Sequence, residues 1–474
     1  MVKARLRTPG LEALFVATFV LFGFRLGARP IGDNSMFTHL RTGIDMVRTG
    51  AIPRSDPYSY TAGGTPWVVQ SWLPEWTYGW AYKLAGDDLR LVVLEQALLL
   101  AGLAWLMLRL ARTGSPLRTA AAGVLVVGIS APFWSPRPLL FGLIAMALTV
   151  TVVERRRTPW LLVPIVWLWV NSHGSFPLGL AWLGARAVGE ALDWRAWPRD
   201  AVRYIGAFAA GLAVAVLNPL GAKLLAFPFT LGDRREAFES IVEWVSPNFQ
   251  DRPAVFVLLT VALLLLVRAR LNWRDVIPSV AFVAAGLLAL RNLPVTAVVL
   301  APVLGRILRQ PESRPSRPRP VAAPVVNDRA NRIVAVTIVV AFAAFALSVF
   351  SGRPLQVETY PVAAVSFLER EGLLEQPHRV AHFDFVGNYL ELRYGERAQV
   401  FIDDRVDMYP TSVSRDYRTL LAARPGSLDV LDRHRIDVVL WDRTFPLTAL
   451  LQASGGWRQI FEDGDWLVLR RELS

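Results

Sequence analysis

Long apolar segments recur along most of this chain, and they constrain its fold more than any other feature. About eleven of them lie before residue 350, each near the 17–25 residues that an α-helix needs to cross a bilayer. The composition agrees, because 53% of the residues are hydrophobic and only 19% are charged. We therefore expect a polytopic α-helical membrane protein with about 11 transmembrane helices. The predicted helices lie near residues 9–27, 89–110, 118–134, 138–154, 159–173, 176–192, 202–218, 254–268, 274–290, 292–308 and 332–350.

The arginines predict the orientation of these helices. They cluster before the first helix and after the second, fourth, sixth, eighth and tenth, which places them on one side if the helices alternate. The positive-inside rule makes that side the cytoplasm. We expect a multi-pass protein of the bacterial cytoplasmic (inner) membrane, with a cytoplasmic N-terminus and an extracytoplasmic C-terminal domain. This distribution also explains the formal charge of +12 without a nucleic-acid partner.

The chain is predicted to have two domains. Residues 1–350 would form the membrane domain, with a large first extracytoplasmic loop (28–88) and a cytoplasmic Arg/Pro-rich linker (309–331). Residues 351–474 alternate strand-like and helix-like segments, which predicts an extracytoplasmic α/β domain with a largely parallel sheet. The strand-like segments are RVAHFDF, QVFIDD, IDVVLW and DWLVLRR, and the helix-like segments lie near 361–373, 412–422 and 445–454.

The first loop is more polar than a simple connection between spans requires. Asp33 and Asp56 are its candidate catalytic residues, since a carboxylate near the membrane surface could accept a proton from a hydroxyl group. Residue type alone favours a helix cap at Asp33 and a turn at Asp56, and the catalytic reading stays open beside them. His39 and Arg41 lie on a predicted short helix, where Arg41 shares a face with Asp33.

Other polar residues interrupt or end the apolar segments on the same predicted outer side. Singly, each fits an ordinary helix end. Together they suit a polar substrate, because arginines bind phosphate while histidine and asparagine bind sugar hydroxyls or phosphate oxygens. These candidate substrate-binding residues, with His39 and Arg41, are Glu95, Arg137, Asn171, His173, Glu243 and Arg291.

The C-terminal region carries a second set of polar residues behind its strand-like segments. Ligands often bind beyond strand ends in open α/β sheets, although turns and internal ion pairs explain such residues equally well. The residues are Asp384, Asn388, Asp403, Asp404, Arg405 and Asp407.

Several classes of site find no support in the sequence. The chain has no cysteine, which excludes disulfides, thiolate metal sites and cysteine nucleophiles. It also lacks the Walker, GxGxxG, HExxH and GxSxG patterns, so nucleotide, dinucleotide and zinc-hydrolase readings are not favoured. No metal ligands are assigned and no cofactor is certain; a divalent cation is left open.

The architecture and the segment DNSMFTHLRTGIDMVRTGAIPRSDPYSYTAGGTPW resemble the C-type (GT-C) integral-membrane glycosyltransferases, in particular poorly characterised bacterial members. In such enzymes a first-loop aspartate or glutamate is the general base, and the donor is a polyprenyl-phosphate or related lipid-linked sugar. Only Asp33 matches that base. The family's paired acids are missing here, because Asn34 follows Asp33, which leaves Asp56 or Asp45 as candidate partners.

The resemblance implies an inverting hexosyl- or pentosyltransferase. Its substrates would be a lipid-linked sugar donor and a glycan, lipid or protein acceptor of the cell envelope, with membrane lipids around the bundle. Asp33 would deprotonate the acceptor, while Arg137 or Arg291 would hold the leaving lipid phosphate. Two alternatives stay open: a transporter or flippase for a lipid-linked solute, and a non-catalytic membrane scaffold that displays the C-terminal domain.

Overall fold

The structure, a computed structural model, describes residues 8–230, 242–309, 328–398 and 400–472. The basic residues before position 8 and most of the predicted linker 309–331 lie outside the described residues. The chain forms two compact units. Unit 1 comprises Met1–Pro30, Arg90–Asn218 and Ile241–Pro354, and unit 2 comprises Ile31–Leu89, Pro219–Ser240 and Leu355–Ser474.

The described residues are mostly helical. In chain order, the α-helices are α1 (Leu11–Gly27), α2 (Asn34–Thr49), α3 (Trp72–Leu84), α4 (Arg90–Leu110), α5 (Pro116–Ser130), α6 (Leu139–Glu154), α7 (Leu162–Val170), α8 (Pro177–Trp194), α9 (Arg199–Val214), α10 (Lys223–Thr230), α11 (Pro253–Arg268), α12 (Trp273–Leu288), α13 (Leu293–Ile307), α14 (Asp328–Ser351), α15 (Val362–Arg370), α16 (Asp384–Tyr394), α17 (Thr411–Leu421), α18 (Ser427–Arg433) and α19 (Pro446–Ala453). A helix lies at each apolar segment that the sequence analysis identified.

Four helical segments within the described ranges are long and apolar enough to cross a membrane: Arg90–Leu110, Pro116–Phe133, Leu290–Ile307 and Asp328–Ser351. Three shorter apolar helices accompany them: Leu139–Glu154, Pro159–Val170 and Pro253–Arg268. The membrane-protein class therefore agrees with the structure, while the count of 11 spans and the orientation remain predictions.

Unit 1 is packed through small residues. A Cβ atom on Gly23 would lie 2.4 Å from the carbonyl oxygen of Leu100, and one on Gly27 would lie 2.5 Å from the Cα of Ala97. Glycine at these positions lets the backbones of α1 and α4 approach closely, as is typical of helices that pack inside membranes.

Unit 2 contains a four-stranded sheet, whose strands are β1 (Val380–Ala381), β2 (Val438–Asp442), β3 (Trp457–Asp463) and β4 (Trp466–Arg471). Their order in the sheet is β1-β2-β4-β3. Only β1 and β2 are parallel, so the expectation of a largely parallel sheet was wrong. The reason is a hairpin between β3 and β4, whose turn contains Gly464 with a φ of +58°. The two turn residues, Gly464 and Asp465, are a Gly-Asp pair, which is a hairpin signal.

The helices predicted near 361–373, 412–422 and 445–454 are present as α15, α17 and α19. The segment QVFIDD forms no named strand in the described residues; its Val400 pairs in an isolated parallel bridge with Ser59 of the first loop. This strand-like segment therefore contacts the first loop and not the sheet.

The first loop packs with the C-terminal region. Helix α2 contacts both α3 and α16, and the buried ring of Phe37 lies 5.3 Å from the ring of Tyr360 and 6.4 Å from that of Tyr389. The sequence-based division placed this loop with the membrane domain, whereas the contacts group it with residues 355–474. A shared apolar core is the physical reason.

Glycine also sets the distance between α2 and α3. A Cβ atom on Gly43 would lie 1.9 Å from the carbonyl oxygen of Glu75, so Gly43→Ala must push the two helices apart. We expect it to lower the free energy of unfolding by about 2 kcal/mol, measured by thermal unfolding of the purified protein. Gly102→Ala in α4 is the matched control, because nothing lies within 4 Å of its added carbon. Equal midpoints for the two variants would contradict this packing.

Candidate functional site

A buried charged group, which we call the Arg405 cluster, lies within unit 2; its members are Asp56, Glu391, Asp403, Arg405 and Tyr409. The guanidinium of Arg405 donates to Asp56 at 2.7 Å, to Glu391 at 2.9 Å and to Asp403 at 2.6 and 2.9 Å. The Tyr409 hydroxyl donates to Asp403 at 2.5 Å. Because Asp56 belongs to the first loop, this one side chain ties the loop to the C-terminal region.

The pKa values of two acids in the Arg405 cluster shift in opposite directions. Burial opposes ionisation of Asp403, but the charge and hydrogen bonds of Arg405 outweigh it and lower the pKa of Asp403 to about 2. Burial raises the pKa of Glu391 well above its ordinary value, and the neighbouring Asp403 acts in the same direction. These opposite shifts reduce the repulsion between carboxylates around a single cation.

Asp56 is fully occupied by this arrangement. Its carboxylate accepts hydrogen bonds from the backbone N–H groups of Tyr58 and Ser59, each at 3.1 Å, and from the Ser59 hydroxyl and Arg405. The side chain has no exposed surface. These contacts favour the turn-forming, structural reading of Asp56 over the catalytic one.

Asp33 occupies the N-cap position of α2, yet its side chain makes no capping hydrogen bond. The two residues that follow it bind a carboxylate from the C-terminal region: Asn34 Nδ2 and Ser35 Oγ donate to Asp404 Oδ2 at 2.7 and 2.6 Å. Asp404 is thus a second acid next to Asn34, the amide residue that follows Asp33 in sequence.

The environment of Asp404 favours its neutral form. Burial and the charges of Asp384 and Asp403 raise its pKa to about 7, despite the opposing hydrogen bond from Ser35. A carboxyl group with this pKa exchanges protons near neutral pH, which is a property of acid–base residues.

Tyr360 was not singled out in the sequence. Burial raises the pKa of its phenol, and the charges of Asp404 and then Asp33 raise it further. Both carboxylates therefore act on one buried hydroxyl that stays protonated at neutral pH. The sequence around this tyrosine gives no signal of this role, because the position of its ring depends on long-range packing against Phe37 of α2.

The other two loop candidates have fixed partners. His39 Nδ1 lies 2.6 Å from Glu75 Oε1, and its ring remains partly exposed. A carboxylate that holds one ring nitrogen fixes the orientation of the other. Arg41 instead makes a bidentate pair with Asp45 at 2.6 and 2.8 Å, and Asp45 also accepts the Tyr58 hydroxyl at 2.9 Å. Arg41 therefore stabilises the packing of α2.

Within unit 1, three of the predicted residues come together. Arg137 Nη2 lies 2.6 Å from Glu243 Oε1, and the guanidinium of Arg291 lies 4.1 Å from the ring centre of Trp244. The two chain segments also join through the backbone, where Leu290 N donates to the Val245 carbonyl at 3.1 Å. Arg137 is more than a hundred positions from Glu243 and Arg291 in sequence, and the three residues form one arginine-containing group.

The turn between α7 and α8 carries His173 and Asn171. His173 Nδ1 lies 2.8 Å from Ser175 Oγ, which also accepts Trp169 Nε1 at 3.0 Å. A Cβ atom on Gly142, in the second turn of α6, would lie 3.2 Å from His173 Nδ1. His173 thus lies near the start of α6, the helix that Arg137 directly precedes.

The remaining two predicted residues are Asn171 and Glu95. Asn171 is fully buried and donates to the Trp167 carbonyl at 2.7 Å, one turn back along α7. Glu95 lies half-buried in the second turn of α4, beside the buried Gln96. No group of three or more His, Cys, Asp or Glu side chains among the described residues is arranged to hold a metal ion.

The chain is similar to several solved structures. One is the archaeal oligosaccharyltransferase AglB from Archaeoglobus fulgidus in complex with an inhibitory peptide and a dolichol-phosphate, with 12% identity, a TM-score of 0.52, and coverage of 90% of this chain and 69% of that chain. Others are the arabinofuranosyltransferase AftD from Mycobacteria (15% identity, TM-score 0.49, 98% of this chain and 40% of that chain) and ArnT from Cupriavidus metallidurans bound to undecaprenyl phosphate (15%, 0.43, 96% and 97%).

The likeness to the oligosaccharyltransferase confirms, at the level of fold, the resemblance to the C-type glycosyltransferases. By sequence, no protein-family model and no curated protein matches the chain. The fold is therefore shown, and the activity is argued below from the residues.

The pKa of Asp404 predicts a pH effect on stability. Between the ordinary aspartate pKa near 4 and about 7, the folded protein holds a proton that the unfolded chain releases. The free energy of unfolding should therefore fall as pH rises through this window. Asp404→Asn should remove that part of the fall. The stability of the variant relative to wild type, measured by thermal unfolding, should therefore increase from pH 4.5 to 7.5. The exposed Asp463→Asn should parallel wild type, and equal pH slopes for Asp404→Asn and wild type would refute the pKa.

Proposed function

We propose that this protein is a membrane glycosyltransferase that moves a sugar from a polyprenyl-phosphate donor to a cell-envelope acceptor on the outer face of the cytoplasmic membrane. One observation supports this proposal above the others. Asp404, a carboxyl group with a pKa near neutrality, is hydrogen-bonded to the two residues that directly follow Asp33. The first loop, which resembles the glycosyltransferase loop, thereby has two acids at its start, Asp33 and the neighbouring Asp404.

In the proposed reaction, Asp33 accepts the proton of an acceptor hydroxyl. The hydroxyl oxygen forms a bond to C1 of the sugar as the bond from C1 to the lipid-phosphate oxygen breaks. The bonding electrons leave with the phosphate, and C1 is inverted. Asp404 acts as a positioning residue: it holds Asn34 and Ser35, and with them the start of α2 and Asp33.

Asp404 also limits charge repulsion at this site. If Asp404 were fully ionised at neutral pH, it would place a second negative charge close to the base. Partial protonation at a pKa of about 7 lowers that charge. The neutral hydroxyl of Tyr360, which both carboxylates influence, supplies a hydrogen-bond donor for a sugar or acceptor oxygen.

We assign the binding of the lipid phosphate to the arginine-containing group of unit 1. Arg137 and Arg291 provide guanidinium groups, which suit phosphate oxygens in both charge and shape. Glu243 pairs with Arg137, and a phosphate would compete for the same guanidinium. Positioning and charge stabilisation of the leaving group are the main catalytic contributions expected here.

His39 is proposed to bind a substrate hydroxyl, because Glu75 orients its partly exposed ring. Roles for His173 and Glu95 in substrate binding remain predictions. We assign structural roles to Arg41, Asn171 and Asp56, whose polar atoms are engaged by neighbours. The acceptor class, whether glycan, lipid or protein, is left to experiment.

The proposal is tested by Asp33→Asn, introduced into a strain that lacks the wild-type gene. Loss of a general base costs about 10²–10⁴ in rate, so the glycosylated product should fall at least about a hundredfold while the lipid-linked donor accumulates. Mass spectrometry of envelope glycans and lipid-linked sugars measures both, with Asp463→Asn as the matched control on an exposed aspartate of unit 2.

The same measurement separates the alternatives. Wild-type product in the Asp33→Asn strain, at equal protein level, would sink the assignment of Asp33. If the protein is a transporter, it moves the donor between leaflets, and sugar transfer measured in vitro is not lost. If it is a scaffold, neither Asp33→Asn nor Arg291→Gln changes the glycans.

A further inference from the structure

A large cavity lies at one end of unit 1, the end that the arginine distribution predicts to be cytoplasmic. Its volume is about 1040 Å³, and its lining in the described part of the chain includes ten arginines. We call it the basic cavity. The arginines are Arg109, Arg112, Arg118, Arg155, Arg156, Arg157, Arg186, Arg274, Arg306 and Arg309.

A fixed ion-pair network holds part of this lining. Glu154, at the end of α6, accepts a hydrogen bond from Arg186 of α8 and another from Arg306 of α13, the latter at 2.6 Å. Arg306 also donates to Asp275 of α12 at 2.6 and 3.1 Å. Four helices, α6, α8, α12 and α13, are thereby tied together, so that the cavity has a defined shape.

The lining arginines of the basic cavity carry more positive charge than their paired carboxylates neutralise. Within the described ranges, the acids that pair with the lining arginines are Glu154, Glu190, Asp275 and Glu12. Ten guanidinium groups thus face four carboxylates, and the excess positive charge surrounds one space.

The surplus guanidinium groups lie close enough to repel one another. Arg155 belongs to the turn after α6. Burial lowers the pKa of Arg155, and the like charges of Arg109, Arg157 and Arg112 lower it further. The positive-inside rule explains why arginines lie at this end. It does not require them to line one cavity, where their mutual repulsion costs free energy unless an anion offsets it.

We propose that the basic cavity binds a phosphate-bearing anion, and that its source is the headgroup of an anionic phospholipid in the adjacent leaflet. Guanidinium groups bind phosphate oxygens in bidentate geometry, and the volume exceeds what one phosphate needs. A headgroup with two phosphates fits this combination of size and charge. This site is separate from the proposed transfer reaction and does not rest on it.

The test uses the purified full-length protein, with tetraoleoyl cardiolipin as the lipid probe and inorganic pyrophosphate as the soluble probe. Native mass spectrometry and the shift of the thermal midpoint measure binding. Arg156→Gln/Arg157→Gln removes two lining charges. Arg268→Gln/Arg270→Gln is the control, because it removes the same charge from exposed arginines outside the lining.

We expect the Arg156→Gln/Arg157→Gln variant to bind cardiolipin about tenfold more weakly than wild type, and the control to stay within about twofold. A second lining variant, Arg109→Gln/Arg309→Gln, should behave like the first, which guards against a local folding defect in the 155–157 turn. Equal losses in lining and control variants, or no loss in either lining variant, would overturn the proposal.

The pyrophosphate arm identifies the source of the phosphate. Cardiolipin that stays bound in millimolar pyrophosphate supports the lipid headgroup. Displacement by pyrophosphate at similar concentrations, lost in the lining variants, would overturn the lipid assignment and establish a soluble phosphate ligand in its place. Binding of neither probe by wild type would refute the site.

Discussion

Unit 2 depends on the buried guanidinium of Arg405. It joins three acids, and its charge lies between the rings of Tyr58 and Trp67, 5.0 and 4.7 Å from their centres. Removing one partner of a buried ion pair leaves a charge that neither water nor protein solvates, at a cost of about 3–5 kcal/mol. Asp56 of the first loop and Arg405 of the C-terminal region therefore stabilise each other.

The packing around Arg405 also positions the candidate acids, Asp33 and Asp404. Thr38 of α2 donates to Glu391 and Asn388 of α16 at 2.7 and 3.1 Å, and Asn388 accepts the backbone N–H of Asp404 at 3.1 Å. The start of α2 and Asp404 are thus positioned by one hydrogen-bonded network. If unit 2 comes apart, Asp33 loses its neighbouring acid, which links the structural role of Arg405 to the proposed chemistry.

Local patterns predicted much of the fold. The segments 89–110 and 332–350 are apolar over a full span, and the structure has helices there, Arg90–Leu110 and Asp328–Ser351. Asp33 was selected by its place after the first helix, and Arg137, Glu243 and Arg291 by charge at helix ends; the last three do meet. Each inference needed only a few adjacent residues, which is why it could be made from the sequence.

Long-range pairing could not be predicted in this way. Nothing near Asp404 indicates that it binds Asn34 and Ser35 across about 370 positions, and Asp56 resembles an ordinary turn aspartate until Arg405 is found beside it. The antiparallel part of the sheet is a different case, since the Gly464-Asp465 turn is a local hairpin signal in the sequence. What the sequence lacked was the partner of each polar side chain.

Hydrogen–deuterium exchange of the full-length Arg405→Gln variant tests whether the first loop and the C-terminal region fold as one unit around this side chain. We expect amide protection to fall together in α2 (34–49) and α16 (384–394). Arg393→Gln, on the partly exposed face of α16, should keep wild-type protection in both. Full protection of α2 in Arg405→Gln, with loss confined to α16, would show that the two regions fold independently of Arg405.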